Sequence, residues 1–349
     1  MSLAELTDRI EGLDRQAMEL CQKKWDSIAK PLHSLGKLED SLVQIAGICG
    51  SSRISLTKKG LVVMCADNGI VEEGVTQSGQ EVTALVSNNF ASGAATAAVL
   101  CKKAGADIIP VDIGVAADTK ILNRKIAYGT KNFAKEPAMT REQAICAIRT
   151  GMDLVKDLSE RGYQILATGE MGIGNTTTSS ALACAILREK PESMTGRGAG
   201  LTSAGLEKKI MVIREALVRY LPKCTDVIDI LACVGGFDIA GLTGVFLGGA
   251  IYRVPIVIDG FISSVAALTA AQIEPKCRDF MLASHVSKEP AAQMVLNALG
   301  LEAALHCEMC LGEGTGAVTL FPILDMACEV YEKMSTFDEI KLEAYQPLS

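Results

Sequence analysis

Positive charge is scarce in this sequence. Its 349 residues carry 34 Lys and Arg against 41 Asp and Glu, a formal net charge of −7. The basic residues are dispersed, whereas a nucleic-acid surface needs them clustered to displace counterions, so no nucleic-acid partner is expected. Long apolar runs are missing too. No stretch approaches the roughly 20 uninterrupted apolar residues of a membrane span. The segment Ser2-Leu3-Ala4-Glu5-Leu6-Thr7-Asp8-Arg9 is charged and amphipathic without an apolar signal core, which predicts a cytoplasmic protein with no membrane partner. Only 3 histidines occur, too few for a His-rich metal site. What the chain does have is apolar mass. With 49% hydrophobic and 21% charged residues it can bury a full core, which excludes disorder as its main state.

The 12 cysteines are expected to be reduced thiols in that compartment, most of them inside apolar runs such as Val63-Met64-Cys65-Ala66 and Ala183-Cys184-Ala185. His306-Cys307-Glu308-Met309-Cys310 holds a CxxC beside a histidine. A structural zinc site needs four ligands, and no second CxxC or HxxxH exists. A thioredoxin-like pair would follow a strand and open a helix, whereas this pair is expected to close one. It reads as core, and no metal is expected.

The length points to about two domains, or one large α/β unit with an appendage. Helical spacing of apolar residues runs from Leu3 to Lys24 and from Gly36 to Ile48, with Lys30–Gly36 a turn and Ser34 its expected cap. Short runs apolar on both faces follow: Leu61–Ala66, Ile108–Ile113, Gln164–Thr168, Val254–Ile258 and Phe280–Ser284. Alanine-rich helical stretches separate them, among them Val82–Lys103, Arg141–Glu160 and Leu206–Leu221. Strands alternating with helices mean βαβ units, hence an α/β fold with a mostly parallel sheet and helices on both faces. Beyond about residue 295 the chain turns helical again, and its tail is expected to pack with the N-terminal helices. The domains expected are therefore a large α/β unit over 56–295 and a small helical one from 1–55 and 296–349.

Ligands of open α/β sheets bind at the carboxyl ends of the strands. There the chain reads Asp67-Asn68-Gly69, Gly169-Glu170, Asp259-Gly260 and His285. The densest signal is Gly169-Glu170-Met171-Gly172-Ile173-Gly174-Asn175-Thr176-Thr177-Thr178-Ser179-Ser180, after a strand and opening a helix. Glycines admit an anion close to the backbone, and helix-start amides with nearby hydroxyls can hold a phosphate. No Lys follows the last glycine, so it is not a Walker A loop, and hydroxyls replace the packing residues of a dinucleotide fingerprint. The alternative is a tight turn with an Asn/Thr cap, which leaves Glu170 without a reason. Thr195-Gly196-Arg197-Gly198-Ala199-Gly200, followed by Lys208-Lys209, and Gly235-Gly236-Phe237-Asp238 each read equally as an anion contact or a plain loop. In Gly312-Glu313-Gly314-Thr315-Gly316 a ligand can reach the glutamate, and apolar flanks would raise its pKa toward the range of a general base. An exposed turn is the alternative there. A Ser-His-Asp nucleophile elbow and an acidic-pair phosphoribosyl-diphosphate loop are both missing.

Taken in order these segments resemble one family, the nicotinate-nucleotide–dimethylbenzimidazole phosphoribosyltransferases, which prepare the lower-ligand nucleotide of cobamides. The resemblance runs from Lys30-Pro31 and Ser34-Leu35-Gly36 through Ala66-Asp67-Asn68-Gly69, Gln80-Glu81-Val82-Thr83 and Gly169–Thr177. It continues through Gly235–Asp238, Asp259-Gly260-Phe261, Ser284-His285 with Glu289-Pro290, to Gly312–Ala317. It implies a doubly wound α/β large domain with a small helical domain from both chain ends, in a dimer. By this resemblance Glu313 is the general base and Glu170 a second acidic residue of the site. Gly172, Gly174, Asn175, Thr176, Gly198, Lys209, Gly235, Gly236, Gly312 and Gly314 belong to the nicotinate mononucleotide site, and Ser78, Gln80 and Asn68 to the acceptor side.

The chemistry implied needs no cofactor. The leaving group of nicotinate mononucleotide is already a cationic pyridinium, and attack from the opposite face inverts β to α. One carboxylate takes the acceptor's proton, a step worth on the order of 10²–10⁴-fold. The chain departs from the family where Asn68 replaces a histidine, where Thr76-Gln77-Ser78-Gly79 lacks an aromatic and a proline, and at Leu32-His33 and Ala291-Ala292. These departures gather on the acceptor side. Besides a benzimidazole they leave open a phenol, used by a heterodimer with a paralogue instead of a homodimer. A dinucleotide oxidoreductase and a non-catalytic paralogue are the more distant alternatives, the latter opposed by retention of both Glu170 and Glu313.

Overall fold

The computed structural model describes residues 2–345. Six strands form one sheet: β1 (Lys59–Ala66), β2 (Ala106–Gly114), β3 (Leu122–Asn123), β4 (Ile165–Met171), β5 (Ile256–Ile258) and β6 (Met281–Ala283). Their order is β3-β2-β1-β4-β5-β6, and every pair is parallel. The chain winds outward from β1 to β3 and then from β4 to β6, so its direction reverses between β1 and β4. The sheet is doubly wound, as expected. Register sets Leu61 beside Ile108 and Met64 beside Glu170, which brings the ends of β1 and β4 together at the reversal.

The helices of the described residues are α1 (Leu3–Thr7), α2 (Arg15–Ser27), α3 (Lys37–Cys49), α4 (Glu81–Ser92), α5 (Thr96–Ala104), α6 (Arg141–Glu160), α7 (Asn175–Leu187) and α8 (Pro191–Met194). They continue as α9 (Ser203–Tyr220), α10 (Val227–Val234), α11 (Phe237–Tyr252), α12 (Phe261–Ile273), α13 (Ala292–Leu299), α14 (Thr315–Lys333) and α15 (Phe337–Ile340). All of β1 is buried, and its side chains alternate between two cores. Val62 and Met64 pack with Ile148 of α6, Phe246 of α11 and Val265 of α12. Leu61, Val63 and Cys65 pack with Trp25 of α2, Ile45 of α3, Cys101 of α5 and Phe321 of α14. The helices of the two chain ends thus meet, with the Trp25 and Tyr331 rings 5.0 Å apart, and they share one core with the sheet. A separate small domain of 1–55 and 296–349 stays a proposed division, and its residues 1 and 346–349 lie outside the described ones.

Local chemistry moved several expected boundaries. The helix expected over Leu3–Lys24 is two, because Asp14 accepts from the Ala17 amide at 2.9 Å and starts α2 afresh. Val82–Lys103 is divided at Gly93, whose φ of +77° ends α4. Glu81–Ala104 is the one stretch of the described residues long and apolar enough to cross a membrane by length and composition alone. Thr202 caps α9 through the Gly205 amide at 3.1 Å, which starts that helix at Ser203, earlier than its apolar spacing. Ser34 is not a cap. Gly36 precedes α3, and the turn is held by Glu39, whose Oε1 accepts from Lys30 Nζ at 2.7 Å and from the Leu35 amide at 2.8 Å. The two-residue edge strand β3 has no signal in the sequence, because both its residues are exposed and carry no apolar run. Cys307 and Cys310 correct a second expectation: they lie in the irregular segment between α13 and α14, close no helix and are exposed.

Candidate active site

A cavity of about 410 Å³ opens at the carboxyl ends of the central strands. The turn from β4 into α7 forms its floor, and segments 75–78 and 197–201 form two of its walls. Residues 259–263, those between His285 and Glu289, and those between Met309 and Thr315 close the rest. Gln77 Nε2 donates to the Gly200 carbonyl, so the first two walls touch. Four carboxylates line the space: Glu170, Asp259, Glu289 and Glu313.

Glu313 sits on an unusual backbone. Gly312, Glu313 and Gly314 have φ of +84°, +61° and +84°, a run of left-handed residues that only glycine adopts without strain. Two contacts hold the turn in this form. Asp259, at the end of β5, accepts from the Gly314 amide at 3.1 Å with one oxygen and from the Ala317 amide at 3.0 Å with the other. It thereby caps the start of α14, where a negative charge is favoured. On the other side the Glu313 carbonyl lies against Gly169, where a Cβ would come within 2.6 Å of the oxygen. Burial raises the Glu313 carboxyl above its ordinary value, opposed by the Ala97 amide 3.4 Å from Oε2. That is the direction a general base near neutral pH requires.

Glu170 lies next to the last residue of β4 and is 7% exposed. Asn175 Nδ2 donates to it and also to Asp238 Oδ2, the latter at 3.0 Å. Burial first, and then the charge of Asp238, push Glu170 up to about 8. Asp238 is itself raised to about 6 by burial. One side-chain amide thus serves two buried carboxyl groups. Asp238 lies below the floor, off the cavity wall, and acts on the site through Asn175.

The expected site residues divide into two shells. Glu170, Gly172, Gly174, Asn175, Thr176, Gly198, Gly312, Glu313 and Ser78 line the cavity. Lys209 does not. It is fully buried, and its Nζ donates to Thr176 Oγ1 at 2.8 Å and to the Gly196 carbonyl at 3.2 Å, tying α7 to the 195–201 loop from beneath. Burial lowers its ammonium to about 8, with Glu289 opposing the shift. Asn68, Gln80, Gly235, Gly236 and Gly314 also lie off the wall. The Asn68 side chain is buried between Gly172, Gly174 and Gly236, and Gln80 Nε2 donates to the Asn68 backbone carbonyl at 3.2 Å. Gly235 and Gly236 lead into α11 below that side chain. The expected hydroxyl cradle shrinks to one member, because Thr177, Thr178, Ser179 and Ser180 are buried and only Thr176 meets the cavity. Successive helical residues turn about 100° apart, so a run of hydroxyls cannot share one face. Asp259 and Asp238 were visible in the sequence as polar residues after a strand and at a helix start. Their functions were not, because both depend on partners far along the chain.

Comparison with known proteins agrees with this fold. A phosphoribosyltransferase family model matches residues 10–342. The nicotinate-nucleotide–dimethylbenzimidazole phosphoribosyltransferase of Acetivibrio thermocellus is 48% identical over 341 residues, covering 97% of both chains. That of Ruminiclostridium cellulolyticum is 48% identical over 351 residues and 100% of both chains. A crystal structure of CobT from Thermus thermophilus superposes with a TM-score of 0.89 at 36% identity, over 94% of this chain and 99% of that one. The chain belongs to the phosphoribosyltransferase family, and within it to the nicotinate-nucleotide–dimethylbenzimidazole phosphoribosyltransferases.

Proposed function

We propose that this chain transfers the phosphoribosyl group of nicotinate mononucleotide to a benzimidazole lower-ligand base of cobamides, releasing nicotinate and forming the α-ribotide with inversion. One observation carries the reading. A partly buried glutamate, Glu313, is fixed on a left-handed turn in the cavity that the start of α7 and Glu170 also face. The relatives reported above are named for dimethylbenzimidazole, which gives the phenolic acceptor and its paralogue heterodimer no support. We take the working unit to be a cytoplasmic homodimer.

In this reading the start of α7, with Thr176 and Arg197, receives the phosphate. Departure of nicotinate neutralises the pyridinium and leaves positive charge on the ribose. Glu170 and Asp259, both buried on the cavity wall, face that charge. Burial keeps Glu170 protonated at neutral pH, and a cationic donor favours its ionised form. Glu313 takes the proton the base loses as it attacks the anomeric carbon. Val75, Val82, Val86, Met171, Leu201 and Leu311 supply apolar wall for a flat aromatic acceptor.

Glu313→Gln tests the assignment because it keeps size and hydrogen bonding but accepts no proton. It should bind nicotinate mononucleotide nearly as wild type does and lose on the order of 10²-fold or more in nicotinate release with dimethylbenzimidazole. Wild-type turnover by the variant would remove Glu313 from this role.

A further inference from the structure

The geometry points to a covalent modification site away from the cavity: Cys224 and Cys233 form a disulfide by exchange with a small disulfide such as oxidised glutathione. Their sulfurs lie 4.0 Å apart, close enough that side-chain rotation can bring them to bonding distance. Both thiols are half-buried. Cys224 ends the turn after α9 and Cys233 lies near the end of α10, so the bond would close a loop of 10 residues across that corner. The exposed CxxC of Cys307 and Cys310, which stands out in the sequence, shows no such sulfur contact, whereas this pair is joined by folding alone.

The corner is already held at one end. Asp226 caps α10 by accepting from the Ile228 and Asp229 amides, each at 2.9 Å. Arg141 on α6 bonds Asp226 and Asp229 from outside, at 2.6 Å to Asp226 Oδ2. Cys224 Sγ lies 3.4 Å from the Tyr220 carbonyl, which orients it, and the Cys233 carbonyl accepts from the Ala138 amide at 3.0 Å. The backbone on both sides is therefore fixed, and the sulfurs can rotate without unfolding a helix.

The step balances. One cysteine thiolate attacks the small disulfide, forms a mixed disulfide and expels one thiolate, which takes a proton from water. The second cysteine thiolate then attacks the protein-bound sulfur, forming the Cys224–Cys233 bond and expelling the second small thiol. Burial pushes Cys224 up to about 12 and raises Cys233 as well, with Asp226 and Asp229 nearby acting in the same direction and Lys223 opposing it at Cys233. Thiolate is scarce at neutral pH, so the bond forms slowly. It acts as a durable clip.

The test uses the full chain. No Lys or Arg separates Cys224 from Arg253, so one tryptic peptide holds both thiols and no other cysteine. After prolonged incubation with oxidised glutathione and alkylation of the remaining thiols, that peptide should be recovered unalkylated and lighter by two hydrogens. The melting temperature should rise by about 5 °C, the scale for a 10-residue loop in a domain of this size, and dithiothreitol should reverse it. Cys224→Ser and Cys233→Ser should each abolish the shift, while Cys307→Ser and Cys310→Ser leave it. Recovery of the peptide doubly alkylated, or carrying glutathione on each thiol, while the exposed Cys49 and Cys146 are oxidised would overturn the proposal.

Discussion

Gly169→Ala is the sharpest test of how the site is held. The residue lies in β4 between Thr168 and Glu170, has no side chain to take part in the reaction, and its replacement adds a single methyl. That methyl would lie 2.6 Å from the Glu313 carbonyl oxygen, 2.7 Å from its carbon and 2.8 Å from the Gly314 nitrogen. Contacts below 3.0 Å are not tolerated, and all three partners are backbone atoms of one turn, so none can rotate away. The turn must retreat by about half an ångström or more. Overpacking of this kind costs about 1–3 kcal/mol of stability. A displacement approaching 1 Å at a catalytic group costs on the order of 10²-fold in rate. We therefore expect turnover to fall roughly 10- to 100-fold, by the same scale, while nicotinate mononucleotide binding changes little. Gly93→Ala serves as the control, since its φ of +77° strains an alanine and its Cβ would meet nothing within 4 Å. It should lose comparable stability and keep its activity. The assay is nicotinate release with dimethylbenzimidazole, alongside thermal unfolding of both variants. Gly169→Ala with turnover within twofold of wild type would mean that the Glu313 turn is not held by this contact, and the argument for its fixed geometry would fail.

Three further outcomes are expected. Burial lifts the Glu170 carboxyl from its ordinary 4.5 to about 8, so the native state holds that proton more tightly. The stability it contributes is complete below pH 4.5 and is lost as pH rises through about 8. Glu170→Gln cannot ionise, and its stability relative to wild type, read from urea midpoints, should therefore increase across that window; a constant or falling difference contradicts the assignment. Lys209→Met removes the ammonium beneath Thr176 and Gly196, and should raise the KM for nicotinate mononucleotide by about tenfold or more, the scale of a lost charged hydrogen bond, with a smaller change in kcat. A fall in kcat at unchanged KM would place Lys209 elsewhere in the reaction. Because a pyridinium leaves without a Lewis acid, turnover should continue in excess chelator, and loss restored by one divalent ion would show the mechanism to be wrong.

Much of this molecule was legible in residue order. A run such as Leu61–Ala66, apolar on both faces, has the pattern of a central strand. Polar and glycine residues just after four such runs mark the sheet's ligand-binding end before any coordinates exist. The α6 helix was exact because Thr140 and Gln143 form a capping box at its start. These are local signals: spacing, capping and glycine freedom operate over a few neighbouring residues. The family resemblance added the roles expected of Glu170 and Glu313, and both face one cavity.

Only the tertiary structure decided which residues reach that cavity and what supports them. The resemblance implied that Lys209, Asn68 and Gln80 sit beside a ligand, whereas packing sets all three behind the wall. The sequence set the hydroxyls that open α7 near one anion site, and helical rotation sends all but Thr176 into the interior. Asp259 became the clamp of the Glu313 turn through amides more than fifty residues away. Cys224 and Cys233 met across a corner while the conspicuous CxxC stayed apart. The physical reason is common to these cases. A residue's type and neighbours limit what it can do, but burial and partner choice depend on segments distant in the chain that only the closed sheet and its helices bring together.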